Sequence, residues 1–226
     1  HLQLIEWLKN DSEDLYDPRY GDVIRVAGLV GFNRGRAAAI VSELSGRDPE
    51  TRKVDEARIP IAYVKLEGSL KKIVNKYNYE NFIMIIKSAG FVQPGMVGSK
   101  NALNFAYALY LRLREDDSLS EGERKRIVRR WFVLSLLTGR NSGSFETQWD
   151  VDIRRIASQG ATEYLAQLEA SELSDSYWTV TLPADLQTIS TISPYFQTFL
   201  ASQVATGARG FLSKSITVAA NASAVR

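Results

Sequence analysis

The cations in the middle of the chain carry most of the chemistry that this sequence offers. Lys125, Arg126, Arg129 and Arg130 recur at three- and four-residue spacing, which ranks them on one side of an α-helix. Ammonium and guanidinium groups arranged in this way can contact phosphates, releasing counterions so that binding falls as salt rises. Arg140, Arg154 and Arg155 would extend the patch. The same run also reads as an ordinary solvated face paired with Glu121 and Glu123, since charge runs on amphipathic helices are common. An acidic partner domain is a third use. Trp131 and Trp149 can stack on bases, but both fall on apolar stripes, where core packing is the expected role.

Elsewhere reactive groups are scarce. Cysteine is absent and the single histidine is His1, which reads as a remnant of expression. Disulfides, thiolate sites, cysteine nucleophiles, Ser-His-Asp triads, HNH-type nuclease sites and histidine zinc sites therefore lack their parts. The acidic run Asp11, Glu13, Asp14 and Asp17 suggests a calcium loop, but Tyr16 stands where an EF-hand needs glycine. A loop closed by Pro18 and Gly21 is the better reading. Gly95 to Lys100 lacks the Gly-Lys-Ser/Thr order of a phosphate loop. Glu115, Asp116 and Asp117 read as a solvated loop. No catalytic residue, cofactor site or metal site is expected from these residues.

At 226 residues, 45% hydrophobic and 24% charged, the chain has the composition of a soluble globular protein, read as one domain over residues 1–226. The formal net charge is only +2, so any case for nucleic acid must rest on local clustering. There is no long apolar run and no charged-then-apolar leader, so a membrane span and a signal peptide are not expected and a cytoplasmic location is.

The elements that must position the cations read as helices throughout. Leu2–Lys9, Val23–Phe32 and Arg36–Leu44 come first. Pro60 either kinks the Val54–Tyr77 pattern or opens it. Asn78 is a candidate N-cap for Tyr79–Ala89, stopped by Gly90. Lys100–Arg114 is apolar nearly all round and should be the central buried helix, with Asn101 and Asn104 bonding neighbouring backbone. The basic helix follows. Its Ile127, Val128, Trp131, Phe132 and Leu134 face inward, and Val133, Leu136 and Leu137 bury its C-terminal half on all sides. Gly139 should stop it, Arg140 should leave the core, and Ser144 should cap a helix with the stripe Phe145, Trp149, Ile153 and Ile156 and a solvated Asp150–Arg154 pair. Ala161–Leu173 is helical, Tyr177–Leu182 extended, Pro183–Gln187 a helical turn, Tyr195–Ala208 a last helix, and Ala219–Arg226 frayed. These signals define an all-α chain, an irregular multi-helix bundle of about nine to eleven helices.

Arg130-Trp131-Phe132-Val133-Leu134-Ser135-Leu136-Leu137-Thr138-Gly139-Arg140, with Ser142-Gly143-Ser144 and Asp152-Ile153-Arg154-Arg155-Ile156, resembles the GmrSD-like family, which is related to type IV modification-dependent restriction enzymes and phage-defence proteins. Trp7-Leu8-Lys9, Asp14-Leu15-Tyr16-Asp17-Pro18, Arg34-Gly35-Arg36, Ser88-Ala89-Gly90-Phe91 and Asn101-Ala102-Leu103-Asn104-Phe105 agree with the same pattern. The resemblance implies a parent protein with an N-terminal ParB-like hydrolase, marked by Asp-Gly-Gln-Gln-Arg, and a C-terminal HNH-type nuclease. Neither signature occurs here. The chain then corresponds to the helical region between them, and no catalytic residue maps onto it. The parent would use a nucleoside triphosphate and a divalent metal. Two roles follow: a DNA-facing module contacting double-stranded DNA, or a connector or oligomerisation domain touching only other domains of the same polypeptide.

Overall fold

The computed structural model describes residues 15–48, 51–188, 190–210 and 216–221. The helix expected at Leu2–Lys9, the acidic residues Asp11, Glu13 and Asp14, and Phe211 lie outside the described residues. Eleven α-helices are described: α1 (Tyr20–Phe32), α2 (Ala37–Leu44), α3 (Arg58–Ile73), α4 (Lys76–Ser88), α5 (Lys100–Leu113), α6 (Glu121–Leu137), α7 (Phe145–Gln159), α8 (Ala161–Glu172), α9 (Leu182–Thr188), α10 (Pro194–Ala205) and α11 (Val218–Asn221). Among the described residues there is no β-strand, only the isolated bridges Arg47–Val54 and Arg209–Thr217. The protein is an all-α multi-helix bundle.

The central helix is α5, buried without interruption from Ala102 to Leu111. It packs against α1, α4 and α6, which is why its sequence is apolar on every face. Phe105 stacks on Trp131 at 5.2 Å between ring centres, and Tyr107 meets Phe82 at 4.8 Å. Such ring pairs add about 0.5–1.5 kcal/mol each beyond the burial itself. Asn104 is fully buried, and its bonds go to side chains rather than to the expected backbone. It accepts from the Tyr16 hydroxyl and donates to Asp22, each at 2.9 Å. A polar pair of that kind ties the segment before α1 to the middle of α5.

Pro60 opens α3 instead of kinking it. It lies in the first turn, where its missing N–H has no helical partner to lose. The cap of α4 is Asn75, not Asn78. The Asn75 side chain accepts from Asn78 N at 3.0 Å, so the helix begins one turn earlier. Asn78 instead donates to Lys72 O at 2.8 Å, stitching the end of α3 to α4.

Residues Tyr177–Thr181 form a π-helical turn running into α9, where an extended segment was expected. Their β-branched and aromatic side chains resemble a strand, but a hydrogen bond from the Tyr177 hydroxyl to Leu137 O at 3.2 Å anchors the turn on the end of α6. Ser193 caps α10, which ends at Ala205. Of the segment Ala219–Arg226, expected to be frayed, Ala219–Asn221 is helical and residues 222–226 lie outside the described residues.

Candidate nucleic-acid interface

Helix α6 starts at a reciprocal cap. Ser120 Oγ accepts from Glu123 N at 3.3 Å, and Glu123 Oε2 accepts from Ser120 N at 2.9 Å. The two Ser120 donors hold the Glu123 carboxyl below its usual range, with a smaller contribution from Arg126. The first turn is thus fixed before the charges begin. Ile127, Val128, Trp131, Phe132 and Leu134 are buried beneath it, and Lys125, Arg126, Arg129 and Arg130 are exposed along its outer side. The cationic ridge read from the spacing is present.

Its members are not equivalent. Lys125 is ion-paired to Glu121 one turn back. Arg130 grips Glu169 of α8 with a two-pronged contact, Nε to Oε1 at 2.9 Å and Nη2 to Oε2. Among the described residues Arg126 and Arg129 form no salt bridge. These two guanidinium groups have the least to give up on meeting an external anion.

The remaining three candidates are elsewhere. Arg140 does not leave the core: its side chain is 9% exposed, with Nη2 2.7 Å from Asp152 Oδ1, Nε 3.3 Å from Asp152 Oδ2, and Nη1 on Glu172. The left-handed turn at Gly139, φ +63°, precedes it. Asp152, 3% exposed, also accepts from the Tyr164 hydroxyl and from Gln148 Nε2, each at 2.8 Å. Burial opposes the charge on Arg140, but Asp152 and then Glu172 outweigh it and the guanidinium pKa is raised. Arg140 is therefore a structural ion at the α6–α7 turn.

Arg154 pairs with Asp150 at 2.6 Å as the spacing predicts; Arg154 is half exposed, but its carboxylate partner is not solvated as expected. The Asp150 side chain is buried, and its Oδ1 accepts from Gly35 N at 2.6 Å and Arg36 N at 3.3 Å. It anchors the turn between α1 and α2. No room exists for a side chain at Gly35, whose added Cβ would sit 2.5 Å from Trp149 Cβ. Arg155 lies over the Tyr164 ring at 5.7 Å. Trp131 and Trp149 are both buried, so neither presents a ring to a base.

Beside the ridge runs an open groove of about 440 Å³ whose lining includes Arg129, Arg130, Val133, Leu137 and Trp178. Trp178 is 46% exposed. Sequence reasoning missed it because an extended segment would not have placed it there. It also missed Arg114 and Arg124, which line a separate cleft; the run Arg124–Arg126 contained the second, but only the contiguous outer face was counted.

The fold and ridge together define an all-α bundle with a cationic outer face on α6 among the described residues. No family model, curated protein or solved structure matches the chain. No helix among the described residues is long and apolar enough to cross a membrane.

Proposed function

We propose that this chain is a non-catalytic helical module that holds double-stranded DNA through the outer face of α6, with Lys125, Arg126, Arg129 and Arg130 on phosphates. The observation that carries this is the outward, unbridged placement of Arg126 and Arg129 between Lys125, whose exposed partner is easily exchanged, and Arg130, which must release its two-pronged contact with Glu169 to meet a phosphate. Exposed ion pairs such as Lys125–Glu121 contribute little to stability, so a phosphate can replace the carboxylate at little cost. Arg140 cannot be recruited in the same way, because leaving Asp152 buried without it costs about 3–5 kcal/mol. The resemblance to GmrSD-like proteins is what narrows the polyanion to duplex DNA and places the nucleotide hydrolysis and strand cleavage in other parts of a longer cytoplasmic restriction or phage-defence protein.

The test is fluorescence anisotropy of a labelled duplex, titrated with the full chain across salt concentrations. Four phosphate contacts give a log–log slope of about −3.6, an affinity loss of about 150-fold between 50 and 200 mM salt. Replacing Arg126 and Arg129 with Ala should flatten the slope by about 1.8. A folded chain that shows no saturable binding at low salt overturns the proposal. The connector reading would then stand, supported by Ile61 and Val64, which lie one turn apart on α3 and are 58% and 70% exposed.

A further inference from the structure

A second cationic feature adjoins the ridge and shares Lys125 with it, where the start of α4, the end of α5 and the start of α6 enclose a small cleft of about 110 Å³. Arg114, Arg124 and Lys125 line it, with Glu121 and the exposed ring of Tyr77. Each arginine is held by an uncharged group. Arg114 Nη1 donates to the Asn78 side-chain oxygen and its guanidinium lies over the Tyr77 ring at 5.2 Å. Arg124 Nη2 donates to Asp116 O at 2.7 Å, while its Nε is shielded from solvent with no acceptor. A shielded donor without an acceptor is costly and uncommon.

The charge of this cleft is unbalanced. Glu121 is the one carboxylate lining it. Lys125 first, then Arg124 and Arg114, draw its carboxyl below the usual range. Of the neighbouring acids, Glu115 is ion-paired to Lys72, while Asp116, which accepts from Ser118 N at 3.0 Å and from the Ser118 hydroxyl, also feels the charge of Arg124 from outside the cleft. Three cations thus line the cleft with one largely exposed carboxylate among them.

We propose that this cleft is a phosphoryl-group site, in which Arg114, Arg124 and Lys125 bind one phosphate and Glu121 is the internal anion that the phosphate displaces. The volume fits a compact oxyanion and lies well below the roughly 300 Å³ at which pockets begin to enclose whole drug-sized ligands. Guanidinium groups match phosphate oxygens in planar, paired geometry, and among the described residues neither Arg114 nor Arg124 forms a salt bridge that a phosphate would have to break. The phosphate is either that of a free phosphorylated molecule or the terminal phosphate of a nucleic-acid strand.

The experiment follows the arginine Nε–Hε resonances of the full chain by NMR while inorganic phosphate is added. Saturable shifts of the Arg114 and Arg124 signals are expected. Arg124→Gln should weaken binding about tenfold or more, and Glu121→Gln should tighten it about three- to tenfold by removing a like charge. Glu121 is highly exposed, so its variant does not threaten the fold, and thermal unfolding checks the Arg124 variant. Thymidine tetranucleotides with a 5′-phosphate or a 5′-hydroxyl separate the sources. Binding of the phosphorylated strand above both inorganic phosphate and the hydroxyl form assigns a strand end, and equal binding of phosphate and phosphorylated strand assigns a free ligand. Shifts that rise linearly without saturation, or a Glu121→Gln variant that binds no more tightly than the parent, overturn the proposal. Lys125 belongs to both the cleft and the ridge, but Arg114 and Arg124 belong to the cleft alone, so Arg124→Gln leaves all four ridge cations in place and tests the cleft apart from the duplex titration.

Discussion

Replacing Arg140 with Met removes a cation from the interior while keeping much of the side-chain volume. The guanidinium bridges Asp152 and Glu172, and its loss leaves Asp152, 3% exposed, with only the neutral donors Tyr164 and Gln148 at 2.8 Å each. Removing one partner of a buried ion pair costs about 3–5 kcal/mol. Those two remaining hydrogen bonds soften the loss, which puts the expected cost near 3 kcal/mol. Glu172 is 32% exposed and can turn to water, so it adds little. At this chain length each kcal/mol lowers Tm by about 2–4 °C, giving an expected drop of about 6–12 °C by circular dichroism. A second change, Asp152→Asn in the same chain, should restore a substantial part of it by removing the stranded charge. The salt slope of duplex binding, measured well below the variant's Tm, should be unchanged. A Tm within about 2 °C of the parent, or a folded variant whose slope flattens by about 0.9, would refute the structural assignment and return Arg140 to the DNA-facing set.

Two further outcomes test the packing. Gly90 has φ +93° and an added Cβ would lie 1.9 Å from Ala201 O of α10, so Gly90→Ala should cost about 2–5 kcal/mol in urea unfolding through backbone strain and overpacking; a change under about 0.5 kcal/mol would show that α10 does not abut this turn. Burial raises the pKa of Tyr16 and Tyr107 well above the usual tyrosine value, and that of Tyr177 to about 12. The neutral phenols are favoured by the fold, so their contribution is complete below about pH 10, the unfolded value, and is lost as pH rises through the folded values. The urea midpoint should therefore fall between pH 9 and 11, with the phenolate absorbance of these rings appearing only on unfolding; an unchanged midpoint, or full ionisation in the folded chain, contradicts their burial.

Sequence alone determined the class of this protein and the course of its middle helices. Apolar spacing near 3.6, a nearly all-apolar Lys100–Arg114 and glycines at Gly90 and Gly139 are local signals, and local signals suffice for helices because each turn satisfies its own backbone. The outer face of α6 was legible for the same reason: Lys125, Arg126, Arg129 and Arg130 share a side by period. What tertiary structure decided was which charges are free. Arg140 looks like the others in sequence, but the carboxylates that engage it, Asp152 and Glu172, are brought into place by how α6, α7 and α8 pack. The Asp150–Arg154 pair was legible from spacing along α7, and what the fold added is the burial of Asp150 against the turn between α1 and α2. The cleft of Arg114 and Arg124 likewise exists only because three helix ends converge there. Periodicity reports the face on which a side chain stands. Its charge is neutralised or left available by partners distant in sequence, and only the packed fold supplies them.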